Sequence, residues 1–347
     1  MCAVNLKHVW LTTLERCAPE RLVRQHVDAG MPRNVVAIGK CAGGLLDGVA
    51  EVHEIESAFV AIPDGYRLPR TDADVYPGGH PHMTRASFDA GRALLQFVDA
   101  HDDILFLVSG GGSACVEVPL APHTEEELIE TNARLVASGM PIGAINAERA
   151  RLSAIKGGRL GARVRGRAVT LVYSDVSSGN LRDVASGPSD RNLILVADNG
   201  TLTATAAQLI GDRTVRWSGQ IECDVADAAQ QIANKARTLR AGEILVAGGE
   251  PTVVVRGDGR GGRCSELAVR FAMQSGCEAL FASSDGVDGN SGAAGVYLPR
   301  RGQAESSSWT EALAVSNSFR IAAQVGEPIM IAPTGNNLRD LFLVARD

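Results

Sequence analysis

Two segments of the chain concentrate groups suited to holding an anion. Ser109-Gly110-Gly111-Gly112-Ser113 follows an apolar run at 104–108, and Arg263 closes the stretch Gly257-Asp258-Gly259-Arg260-Gly261-Gly262. Three consecutive glycines let the backbone approach a bound group and turn successive N–H donors toward it. A tight turn with no ligand is the competing reading. No Gly-Lys-Ser/Thr follows, so the segment is not a P-loop. The second stretch matches GxGxxG, but its inserts are charged and the run before it is flanked by polar residues, which makes a weak dinucleotide fingerprint. It reads instead as a flexible loop delivering Arg263, at the start of a helix, to phosphate or carboxylate, whose oxygens a guanidinium grips in pairs. An exposed hairpin loop with solvated charges is the alternative.

Further cations and acids sit at the ends of apolar runs. Lys40 follows Gly39 just past a strand-like stretch, and Lys156 precedes Gly157-Gly158. Either is a compact positive charge for an anion or an ordinary solvated lysine. Asp175, Glu250 and Asp285 each close an apolar run, with Asp288 three residues beyond the last. Hard oxygen ligands suit Mg²⁺, and a carboxylate can take a hydroxyl proton; a cap or turn role competes at each position. His80 and His82 form a candidate acid/base pair in a turn of proline and glycine.

The elements that must position these groups alternate. Strand-like runs at 34–40, 103–109, 168–174, 243–247 and 278–283 are separated by helical spacing at 41–52, 85–100, 125–138, 203–210, 224–240 and 263–273, after an opening helix at 9–25. A further short strand is expected at 252–256. Such alternation predicts an α/β fold with a mostly parallel sheet, and ligands bind beyond the carboxyl ends of its strands. The chain's 347 residues, at about 150 per domain, give roughly two domains. The stretch 212–223 reads as a connector, which puts the boundary near 230/231.

Composition excludes several classes. Lys plus Arg number 34 and Asp plus Glu 40, a formal charge of −6, so there is no basic excess to hold a nucleic-acid backbone. The seven cysteines are scattered and show no CxxC, so neither a disulfide scaffold nor a zinc site is expected. No apolar run approaches the ~18 residues needed to span a bilayer, and the charged N-terminal stretch with Lys7, Glu15 and Arg16 does not read as a signal peptide. A cytoplasmic protein without membrane or nucleic-acid partners is expected.

Taken in order, ten segments resemble the class II glycerate kinases, the glycerate 2-kinase family with a C-terminal MOFRL domain. They are Ala37-Ile38-Gly39-Lys40, Pro77-Gly78-Gly79-His80-Pro81, Val108-Ser109-Gly110-Gly111-Gly112-Ser113-Ala114 and Leu152-Ser153-Ala154-Ile155-Lys156-Gly157-Gly158-Arg159-Leu160. Next come Ser174-Asp175-Val176, Ala185-Ser186-Gly187-Pro188, Gly248-Gly249-Glu250 and the stretch 256–263. Last are Asp285-Gly286-Val287-Asp288-Gly289 and Pro333-Thr334-Gly335-Asn336-Asn337-Leu338.

The resemblance implies two α/β domains, a larger Rossmann-like one at 1–230 and a smaller MOFRL-like one at 231–347, with the active site in the cleft between them. It implies ATP and Mg²⁺ as cofactors and phosphorylation of the 2-hydroxyl of a small hydroxy acid, foremost D-glycerate to 2-phosphoglycerate. Lys40 and Arg263 match the family's catalytic lysine and arginine, and Asp175 joins them as a catalytic carboxylate. Ser109, Gly110, Gly111, Gly112, Ser113, Lys156, Ser186, Gly187, Glu250 and Asn337 are expected to bind substrate or nucleotide, and Asp285 and Asp288 a metal. A homodimer is an open expectation.

The chain departs from the family pattern at Cys264, Ser265, Asn290 and Ser291, at Ser177-Ser178-Gly179-Asn180, and at Pro251 and Asn336. These changes keep two alternatives in view: a kinase for a four-carbon aldonate, and a non-catalytic sugar-acid or nucleotide binder. Some relatives have been called hydroxypyruvate reductases, but this chain lacks a convincing nicotinamide fingerprint.

Overall fold

A computed structural model describes residues 4–140, 142–300 and 307–346. They divide into two compact units: residues 18–198, and the N-terminal residues through Cys17 together with Asn199 onward.

In the unit of residues 18–198, six parallel strands form one sheet. They are β1 Asn34–Ile38, β2 Ser57–Pro63, β3 Asp74–Gly78, β4 Ile104–Ser109, β5 Ala168–Tyr173 and β6 Leu193–Ala197, in the order β3-β2-β1-β4-β5-β6. This is the doubly wound order, in which the connections leave β1 in opposite directions and open a crevice past the ends of β1 and β4. All residues of β4 and β5 are buried, as expected for strands covered on both faces. The helix Arg85–Ala100 turns Ala90, Leu94 and Val98 onto Phe59 and Phe106 of the sheet. At its start the backbone N–H of Thr84 donates to Ser87 Oγ at 3.1 Å, satisfying one group at the helix entry.

The second unit holds β7 Thr214–Arg216, β8 Ile244–Gly249, β9 Glu278–Ser283, β10 Gly295–Leu298, β11 Glu327–Pro328 and β12 Asp340–Ala345, ordered β11-β10-β9-β12-β8-β7. β12 runs antiparallel between β8 and β9 and pairs Asp340 with both Gly249 and Ser283. The start of β12 therefore lies at the carboxyl ends of β8 and β9. The helices Val225–Thr238 and Arg263–Ala272 cover one face, with Phe271, Phe281 and Phe342 in successive ring contact at 5.2 and 5.8 Å. The N-terminal helix Leu6–Arg16 belongs here; Lys7 pairs with Glu327 at 2.6 Å, and Asn336 Nδ2 donates to the Leu14 carbonyl at 3.4 Å.

Several expectations differ from what forms. The mostly parallel sheet holds in the first unit, whereas β12 makes the second sheet mixed. The expected boundary at 230/231 falls inside the helix Val225–Thr238, while the units divide between Asp198 and Asn199. The stretch 212–223 carries β7, paired with β8, rather than only a connector. The run 252–256 is not a strand: Thr252 forms an isolated bridge to Asp224, and Val254 and Val255 are 62% and 75% exposed. Its β-branched composition lacks a partner strand to pair with. The opening helix breaks at Cys17, because Pro19 has no N–H and starts a new helix.

Candidate active site

Lys40 lies immediately past β1 and is fixed by its backbone. Its N–H donates to the Gly110 carbonyl at 2.8 Å, which ties the end of β1 to the glycine loop after β4. Gly39 has φ of +106°, and a Cβ there would stand 2.3 Å from the Ser109 carbonyl and 2.6 Å from that of Gly110. Only glycine fits so close a crossing. The Lys40 ammonium is 5.6 Å from the centre of the Tyr66 ring, a cation–π contact. Gly111, at φ +83°, brings the loop against the Lys40 stem and near the exposed His80 ring. His82 is also exposed.

Ser109 serves this crossing. It is fully buried, and its Oγ accepts from Cys41 N–H at 3.0 Å and donates to the Ile38 carbonyl at 3.2 Å. Its hydroxyl is engaged in joining the strand ends. Ser113 is half-buried and meets Ser186, Oγ to Oγ, at 2.7 Å. Ala185, Ser186 and Gly187 have φ of 53°, 59° and 64° in succession. For Ala185 and Ser186 this conformation costs on the order of 1–3 kcal/mol each and persists only where surroundings impose it. Here Gly157 N–H donates to the Ser186 carbonyl at 3.1 Å, and Gly158 N–H to that of Gly187 at 2.7 Å. Gly187 also lines a cavity of about 280 Å³ with Gly157, Gly158, Arg182, Ser189 and Asp190. Asp175 is half-buried two residues past the end of β5.

Lys156 sits in the interior rather than at a binding surface. Its ammonium pairs with Glu117, and both side chains are almost wholly buried. Glu117 also accepts from Ser153 and from Val118 N–H. Burial lowers the lysine's pKa, and the Glu117 charge opposes that shift.

In the second unit, Arg263 opens its helix and grips Asp340 with two prongs. Nε donates to Oδ2 at 2.6 Å and Nη2 to Oδ1 at 3.0 Å, while Nη1 lies 2.9 Å from Glu250. Glu250 in turn meets Arg339 Nε at 3.2 Å, and Arg339 also binds Gln220 and Glu222. Burial works against the charge on Arg263, but Asp340 and Glu250 outweigh it and hold the guanidinium firmly protonated. Burial pushes the Asp340 carboxyl up, and Arg263 pulls it back. About a quarter of the Arg263 side chain stays exposed, on a cavity of about 910 Å³ lined also by Glu250, Val253, Glu266, Asn290 and Arg339. That volume is within the range of sites for nucleotide-sized ligands.

The glycine loop leading to Arg263 is packed rather than flexible. A Cβ on Gly259 would meet Asn317 N at 2.5 Å, and one on Gly262 would meet Asp288 Oδ1 at 2.1 Å. Asp288 receives Cys264 N–H at 2.8 Å and Ser265 N–H at 2.9 Å, so both its oxygens cap the helix that Arg263 begins. Burial raises its pKa, and those hydrogen bonds oppose the rise. Asp285 Oδ1 accepts from Ser283 Oγ at 2.8 Å and Val287 N–H at 2.9 Å. No three His, Cys, Asp or Glu side chains converge on a metal position among the described residues. Asp285 is thus held in a turn, and Asp288 caps the helix. Asn337 is buried just before β12.

Among the departures from the family pattern, Cys264, Ser265 and Ser291 are fully buried, and Asn290 lines the cavity. The sequence reading missed Arg339, Asp340 and Glu222. Asp340 opens an apolar strand rather than ending one, so the pattern of acids at strand ends does not mark it.

Residues 5–209 match the family described as a domain of unknown function (DUF4147), and residues 243–340 match the MOFRL family. The chain is 29% identical to the D-glycerate 2-kinase of Thermotoga maritima, with 95% of each sequence covered. It is 27% identical to a glycerate 2-kinase of Pyrococcus horikoshii, covering 89% of this chain and 86% of that one. The crystal structure of a glycerate kinase from Thermotoga maritima superposes with a TM-score of 0.85 at 26% identity, over 98% of each chain.

Proposed function

We propose, from the premise that this chain belongs to the class II glycerate kinase family, that it is an ATP-dependent glycerate 2-kinase, transferring the γ-phosphoryl group of ATP to the 2-hydroxyl of D-glycerate. The observation that carries this reading is Lys40 at the switch point of the doubly wound sheet, its backbone locked to the glycine loop after β4. Ligands of open parallel sheets bind at that point.

Phosphoryl transfer needs positioning and charge stabilisation more than covalent chemistry from the protein. Lys40 in its unit and Arg263 in the other are each assigned to phosphoryl oxygens, the first as a point charge and the second as a planar fork. The N–H groups of 110–113 are assigned to the anionic end of a substrate. The 2-hydroxyl oxygen attacks the γ-phosphorus, the bond to the β-bridging oxygen breaks, and ADP leaves. Asp175 takes the hydroxyl proton. Glu250 and Asp340 hold Arg263 in register for the phosphoryl oxygens. The 910 Å³ cavity beside Arg263 is assigned to the nucleotide. Mg²⁺ enters with ATP as the substrate complex, the usual mode for a cation that keeps several waters and rides on phosphates. Phosphorus NMR of the product tests the assignment: phosphate on C2 supports it, and phosphate on C3 or none overturns it.

A further inference from the structure

Ser113, Ser186 and Asn146 form a hydrogen-bonded chain whose direction is fixed. Asn146 Nδ2 donates to the Asp183 carbonyl at 3.0 Å, which settles the amide orientation, because the opposite flip would set two acceptors against each other. Asn146 Oδ1 therefore accepts from Ser186 Oγ at 2.9 Å. A serine has one hydroxyl proton, and that of Ser186 is committed to Asn146. At the 2.7 Å contact between the serines, Ser113 must then be the donor.

Ser186 and Asn146 are buried, whereas Ser113 is half-buried, so Ser113 is the end of the chain that a ligand can reach. Its proton points inward, and it offers a ligand only lone pairs. A carboxylate or phosphate oxygen would be repelled there; a hydroxyl group would be accepted. The chain ends on a backbone carbonyl and contains no titratable base, so it cannot carry a proton away. The hydroxyl that it reads is one that keeps its proton throughout the reaction.

We infer that Ser113 Oγ is the acceptor for a non-reacting hydroxyl of the substrate, with Ser186 and Asn146 as positioning residues that fix its polarity. Resting on the glycerate reading above, this makes Ser113 the residue that distinguishes D-glycerate, through its 3-hydroxyl, from D-lactate, which lacks it. Ser186, whose Oγ meets both neighbours, lies within the left-handed stretch 185–187.

The test compares D-glycerate with D-lactate in wild type, Ser113→Ala and Ser186→Ala, by calorimetric binding and by kcat/KM with MgATP. A neutral hydrogen bond contributes about 1 kcal/mol, so the wild type should favour glycerate by about fivefold through this contact. Ser113→Ala should remove most of that preference. Ser186→Ala, which frees the Ser113 proton to point outward, should lower it while the Ser113 oxygen remains. Equal loss for both acids in each variant, or no preference in the wild type, overturns the inference. If Ser113→Ala fails to fold, the Ser186→Ala ratio decides. Preferential glycerate binding lost in the variants without any turnover would sustain this inference while removing the kinase reading.

Discussion

Arg263 and Asp340 form a two-pronged ion pair, with Nε to Oδ2 at 2.6 Å and Nη2 to Oδ1 at 3.0 Å, and the carboxylate is fully inaccessible. Asp340 begins a strand bonded on both sides, to β8 and β9. The position of the guanidinium is thus set from the centre of a sheet, while its outer edge remains on the cavity. Two of its N–H groups are hydrogen-bonded to Asp340, and Nη1 stands in ion-pair range of Glu250 at 2.9 Å.

Arg263→Lys should lower kcat much more than it weakens binding of either substrate. An ammonium cannot hold both oxygens of Asp340 and also span two phosphoryl oxygens. Arginines that grip the transferred group contribute on the order of 10³–10⁵ in rate elsewhere; a loss of at least ~10² is expected here. Steady-state kinetics with a thermal unfolding control reads it. Unchanged kcat in a folded variant would remove Arg263 from the reaction.

Lys156→Met alone, or Glu117→Leu alone, should destabilise the protein by about 3–5 kcal/mol, the range for leaving one partner of a buried pair. The double variant Lys156→Met with Glu117→Leu should recover much of that loss. Urea midpoints measure both. Additive losses in the double variant would show that the two side chains do not act as a pair.

Asp288→Asn should cost about 1–2 kcal/mol, as for other helix caps, and leave the Mg²⁺ concentration dependence of activity where it was. The reason is that both oxygens of Asp288 hold backbone amides of the Arg263 helix. A large shift in the Mg²⁺ requirement with little loss of stability would restore the metal role instead.

The apolar runs ending in Lys40 and Ser109 were legible in the sequence because fully buried parallel strands are short and continuous. β3, with only Gly78 buried, and the three-residue β7 carry no such signal and emerge only from pairing. Arg263 was readable as the cation that follows a glycine loop. Its partner was not, because Asp340 lies 77 residues away and only the antiparallel insertion of β12 brings them together. Lys156 looked like a surface cation beside two glycines; its burial depends on Glu117, 39 residues distant. Local patterning revealed which groups end strands, and long-range pairing decided which of them face inward.

ADP release measured with MgATP over a panel of small 2-hydroxy acids, with nicotinamide absorbance followed in parallel, separates a glycerate kinase from a reductase. ADP release should depend on both D-glycerate and Mg²⁺, with no change at the nicotinamide wavelength. ADP release indifferent to the acid, or acid-dependent nicotinamide oxidation without ADP, would contradict the glycerate kinase reading.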